Sequence, residues 1–500
     1  MGDVGDPSES ASASRMSGER ESWSRRSAIA GTVIVALVVL LSLLSVNTFP
    51  SVTNDAAVYI AYSRDLIGGG WVEQGFRQVV YPVFLAGVRG LARLVGAEPL
   101  LATAVLQRLL SVAAGVLAFR AWRWWSLPLL VYLFAPATIA YSNFLLIESL
   151  ALPLAVLLVF PTLRYLRDVG NEPSPELDRR LLVSGGLATL GALFLFGLRF
   201  TFAVFGAIPL VMALAGWKTG HRRLGVSLLA VFLVTAGALT VALTLENRAE
   251  WGVATPSAQA GHAEYYYAWL HVFREVPENR EDPSLARFYD DGEVYDFERE
   301  LTFADVPRAE RDERFEAEIA AMLDAAGMSK TGSQLESMAW SLAGGRLHDL
   351  AGGVFGIVHS TRTDIDRWIN ISSFAVNNGP VAFADEYNDG LVPQAVITDP
   401  LGLPLPGPDS QSWAMLLVPL SLVITVIGLR WQRTRWTSVA GLLVVVSTAM
   451  GLGLIRADNF RFLMVSSAFG IAAATAVAPE IFRRIREPKA TIPLTAMGTS

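Results

Sequence analysis

The sequence predicts an all-α polytopic membrane protein with about ten transmembrane helices, interfacial helices in its first outer loop and a mostly helical extracytoplasmic segment. Three observations predict it. The 500 residues are 52% hydrophobic and only 17% charged, against about 25% charged residues in soluble domains, and mean hydropathy is +0.41. Uncharged or nearly uncharged apolar runs of span length recur along the chain, and about 20 such residues are needed to cross ~30 Å of hydrocarbon. Finally, the short turns between alternate runs are basic, as the positive-inside rule requires of the cytoplasmic side.

Taken in order, residues 1–26 are rich in Ser, Gly, Glu and Arg without apolar periodicity and read as a disordered cytoplasmic tail. Ser27 to Val46 carries no charge and follows Arg25 and Arg26; it is too long for a signal-peptide core and lacks a small-x-small cleavage site, so it reads as an uncleaved first span. Further spans read as Leu100 to Phe119, Leu127 to Tyr141, Asn143 to Leu163, Leu181 to Leu198, Phe200 to Trp217, Leu224 to Leu245, Trp413 to Leu429, Trp436 to Ile455 and Phe460 to Ile481. With the N-terminus inside, the cytoplasmic turns hold Arg120 and Arg123, then Arg164 to Arg180, then Lys218 to Arg223, then Arg430 to Arg435, and finally Arg483 to Arg486. Both termini are therefore placed in the cytoplasm. The domain plan is an N-terminal membrane module at 27–245 with its first outer loop at 47–99, an extracytoplasmic segment at 246–412, a C-terminal membrane module at 413–482 and a cytoplasmic tail at 483–500.

The outer segment is acidic overall and too long for a structureless connection. Pro307 to Gly327 has helical periodicity, with Phe315, Ile319, Met322 and Leu323 on one face. The chain has no cysteine, which removes disulfides, thiolate metal sites and a cysteine nucleophile. Its five histidines are scattered without metal-pair spacing. No cofactor is predicted, and a divalent metal, though compatible with the chemistry below, is not indicated. Phosphate loops and dinucleotide fingerprints are lacking too, and no nucleic-acid partner is expected.

Chemistry concentrates near span ends. If Asp55 in Thr53-Asn54-Asp55 opens a helix, Tyr59 and Tyr62 follow at i+4 and i+7 on its face, so one face offers a carboxylate and two phenols. The alternative is that Asp55 only caps that helix. After Tyr81-Pro82, the segment Val83 to Val95 alternates apolar residues with Arg89 and Arg93, as an interfacial helix would. Glu148 interrupts the fourth span near its outer end; an ionisable group inside a span is costly and a functional candidate by default. Its alternative is a buried structural acid paired with an arginine such as Arg199. Arg199, and Arg456 and Arg461 flanking Asp458, stand at outer span ends where basic residues are few. They either pair internally with Glu148 and Asp458 or meet a phosphate at the membrane boundary, which the planar guanidinium binds well.

The order of these features resembles the GT-C class of polyprenyl-phosphate-sugar-dependent glycosyltransferases, which includes protein O-mannosyltransferases and the lipid A aminoarabinose transferase. The resemblance covers about residues 28 to 270 and 333 to 480. It rests on Asp55 after the first span, Tyr81-Pro82-Val83-Phe84-Leu85-Ala86, the run Ala135 to Tyr141 leading to Glu148-Ser149, Gly197-Leu198-Arg199-Phe200-Thr201, Glu246-Asn247-Arg248 before Gly252 and Thr255, and Arg461-Phe462-Leu463. One departure is that several members carry two adjacent acids in the first loop, where this chain has Asn54-Asp55; this weakens a metal-binding role.

The resemblance implies an inverting glycosyltransferase of the plasma (inner) membrane, acting in cell-envelope glycan biosynthesis. It would move a sugar from a polyprenyl-phosphate donor to a hydroxyl of a glycan, lipid or protein acceptor at the outer face. Asp55 would be the general base and Glu148 would orient acceptor or base, while Arg199, Arg456 or Arg461 neutralises the departing lipid phosphate. Tyr59, Tyr62 and Tyr265, the last within Tyr265-Tyr266-Tyr267, would stack on sugar faces; membership of an interfacial aromatic belt is the alternative for each. The rival function is a secondary transporter or lipid-linked glycan flippase. Such proteins often show inverted repeats and helices broken at the midplane, whereas here the notable charges sit near span ends and no halves repeat.

Overall fold

The structure, a computed structural model, describes residues 29, 31–33, 59–60, 62–64, 66, 78–134, 146–171, 174–251, 256, 408–454 and 460–486; of 250–251, 408–416, 451–454 and 460–462 it describes the backbone only. The described residues form helices and turns, with no strand among them. The helices are α1 (Val80–Leu94), α2 (Pro99–Trp122), α3 (Leu127–Leu133), α4 (Ile147–Asp168), α5 (Pro175–Leu198), α6 (Ala207–Thr219), α7 (Arg222–Trp251), α8 (Pro408–Gly428), α9 (Gln432–Leu454) and α10 (Phe460–Arg486).

Six helical runs among the described residues are long and apolar enough to cross a membrane: Pro99–Leu133, Ile147–Asp168, Pro175–Leu198, Phe200–Thr219, Arg222–Ala249 and Leu463–Arg486. The first is doubled back on itself. Arg123 takes a positive φ of 52° and the 3-10 turn Arg123–Ser126 follows. A Cβ on Gly115 of α2 would lie 3.0 Å from the Phe134 ring and 3.2 Å from Leu130, so the start of the third predicted span returns along the second.

Local sequence sets the helix ends. Glu98 caps α2 by accepting from the Leu100 and Leu101 amides, with Pro99 at the first helical position. Ser174 does the same for α5, accepting from Leu177 ahead of Pro175; α5 therefore begins six residues before the predicted Leu181, because a cap outranks the loss of hydropathy at Arg179 and Arg180. Gly220 closes α6 in the left-handed region at φ 91°, where a Cβ would be strained. α7 runs on through residues 246–251, beyond the predicted end of its span at Leu245.

Helices α4 and α10 form the centre, each with 72% of its most apolar stretch buried, against 17% for α7 on the rim. α4 packs on α5, α10 and α2; α10 packs on α9, α8 and α4. Contacts between distant turns define one basic end of the bundle. Trp125 after α2 meets Phe482 in α10, His221 before α7 meets Asp178 in α5, and Lys218 at the end of α6 lies 5.9 Å from the Trp436 ring in α9. The turns assigned to one side from their arginines thus gather together.

Candidate functional site

At the other end of the bundle, two predicted site residues meet. Arg199 Nη1 donates to Glu148 Oε1 at 3.0 Å, with the glutamate side chain 1% exposed and the arginine 20%. Glu148 sits in the first turn of α4, where the unpaired amides and helix dipole favour a negative charge. α5 stops at Leu198, and Arg199 swings to an extended backbone (φ −162°, ψ 137°) before the 3-10 turn Phe200–Gly206 begins. The Phe202 amide donates to the Arg199 carbonyl at 2.9 Å, which fixes that swing. A carboxylate removed from water needs a close cation and further hydrogen bonds to be tolerated, and this pair supplies the cation. The internal pairing foreseen as the alternative for Glu148 is thus what the structure contains, with Arg199 the more exposed of the two groups.

The described residues of the predicted first outer loop pack beside this pair. Gly197 allows α1 to approach, since a Cβ there would fall 2.6 Å from Val80. Tyr81, fully buried in α1, accepts a hydrogen bond from Gln107 Nε2 of α2 at 2.8 Å. Tyr59 packs edge-on against Tyr81 with centroids 5.2 Å apart. Tyr59 and Tyr62 are both buried, and Ser63 Oγ donates to the Ile60 carbonyl, consistent with the helical turn expected there.

Asp55, Arg456 and Tyr265 lie outside the described residues. Arg461 is in the first turn of α10, where only the backbone is described. One detail of the sequence reading needs correction: Arg89 does not share the exposed face of an interfacial helix but is 5% exposed, on the same side of α1 as Tyr81, Leu85 and Val88. Arg93 does face outward. Sequence reasoning also passed over Gln107 and Arg108, a polar pair inside the second predicted span; both are buried at the α1–α2 end of the bundle. The signal was the same rule that singled out Glu148, a charged residue inside an apolar run. Among the described residues, no group of three His, Asp or Glu side chains could hold a metal ion.

No family model matches this chain, and no curated protein or solved structure matches it significantly.

Proposed function

We propose that this chain is a GT-C-type membrane glycosyltransferase with about ten spans, its basic end in the cytoplasm and the Glu148–Arg199 end at the outer face of the plasma membrane. In this scheme it moves a sugar from a polyprenyl-phosphate donor to an acceptor hydroxyl. Asp55 takes the hydroxyl proton as the oxygen attacks the anomeric carbon, and the lipid phosphate leaves toward arginines. The observation that carries the reading is the buried Glu148–Arg199 pair beside the tyrosine-anchored first loop, at the end opposite the basic turns. Glu148, nearly inaccessible itself, acts by positioning Arg199 for the phosphate, and Arg461 in the α10 first turn adds a second cation.

The test is direct. Purified full-length protein in liposomes is given a panel of polyprenyl-phosphate sugars, and released lipid phosphate is measured. Release with at least one donor, abolished in a folded Asp55→Asn variant and with weakened donor dependence in Arg461→Ala, supports the proposal. Movement of intact donor across the bilayer without sugar transfer would instead establish a flippase, and full activity of Asp55→Asn would remove the base.

A further inference from the structure

The basic end carries a feature that sugar transfer does not use. Where the reversal between α2 and α3 meets the last turn of α10, Trp125 sets its ring against Phe482 with centroids 5.4 Å apart. Phe482 in turn carries the Arg486 guanidinium over its face at 4.0 Å. These groups are on the surface: Trp125 and Phe482 each keep 40% of their area exposed, and Ile485 keeps 70%. Tryptophan and arginine are amphipathic side chains, apolar in body and polar at the tip, and favour the level of lipid headgroups.

The arginines of this turn divide into two kinds. Arg483 and Arg484 both donate to the Glu480 carboxylate, so their charge is answered within their own helix. Arg486 has no carboxylate partner among the described residues, and its planar group rests on an aromatic face. A guanidinium seated over an aromatic ring keeps N–H donors for other partners, and its planar fork suits two oxygens of a phosphate.

We propose that this edge binds the headgroup of an anionic phospholipid of the surrounding leaflet. The phosphate sits on Arg486, and the glycerol and first methylenes lie against Trp125 and Ile485. A lipid fits better than a soluble anion because exposed apolar surface adjoins the cation: Leu127, two residues after Trp125, is 44% exposed.

Full-length protein in neutral detergent is titrated with dioleoylphosphatidylglycerol and, separately, dioleoylphosphatidylcholine, and bound lipid is counted by native mass spectrometry. A discrete adduct with the anionic lipid alone is expected. Arg486→Ala should weaken it about fivefold, the effect of one cation near a charged membrane surface, and Trp125→Ala should weaken it further, while Arg433→Ala, at the same end but outside this edge, leaves it intact. Thermal unfolding without lipid checks that each variant is folded; should Trp125→Ala unfold, the exposed helix-end change Arg486→Gln carries the comparison alone. Equal adducts with both lipids, undiminished binding to Arg486→Ala, or displacement of the lipid by glycerol 3-phosphate or an acidic hexapeptide at equal concentration would each overturn the proposal.

Discussion

At one end of the bundle Glu148 keeps 1% of its side chain exposed and holds Arg199, 51 residues away in sequence, at 3.0 Å. At the other, Glu480 is 20% exposed and shares its carboxylate between Arg483 and Arg484 on the same helix. The first pair ties the start of α4 to the end of α5 in a place water scarcely reaches; the second decorates the exposed end of a central helix. Local sequence spacing predicts the second kind, because i,i+3 and i,i+4 neighbours face each other on any helix. The first kind depends on tertiary structure and carries much more consequence when broken.

Five variants would break or sharpen that contrast. Arg199→Ala should cost about 3–5 kcal/mol in unfolding free energy, since it takes the paired cation away from a buried carboxylate; replacing both Glu148 and Arg199 by leucine should recover most of the loss, measured by thermal or denaturant unfolding in lipid. Gly197→Leu should cost roughly 1–3 kcal/mol by overpacking against Val80 and should raise hydrogen exchange in α1 selectively. Gln107→Leu, which removes the Tyr81 hydrogen bond, should cost about 1 kcal/mol, read from the same unfolding curves. Glu480→Gln should cost well under ~1 kcal/mol, as exposed pairs do, and the difference should vanish in 1 M salt, where the Debye length is about 3 Å. If Arg199→Ala proved as mild and as salt-sensitive as Glu480→Gln, the two ends would not differ in the way described.

The helices were legible where hydropathy and caps agree. α2 and α10 begin within one residue of the predicted Leu100 and Phe460, because a clean change of composition marks each start. α4 begins at Ile147 rather than Asn143, since hydropathy does not distinguish an apolar extended residue such as Leu146 from a helical one. The candidate pair was legible because Glu148 and Arg199 each violate a local rule for membrane segments, one by charge within a predicted span and one by a basic residue at a predicted outer end. Arg89 and Gln107 were misjudged or missed because their environment comes from the α1–α2 contact. An amphipathic pattern shows which face differs, without showing whether the arginine-bearing face turns to water or to another helix.

The Arg199–Glu148 link also bears on biogenesis. α4 and α5 are consecutive antiparallel helices, and each brings one half of the ion pair near the same end. Released singly from the translocon, α4 would expose a carboxylate to acyl chains, whereas the helical hairpin enters as a neutral unit. The ion pair therefore makes α4 and α5 a hairpin whose buried charge is answered within it, so neither helix carries that charge into an apolar surrounding alone.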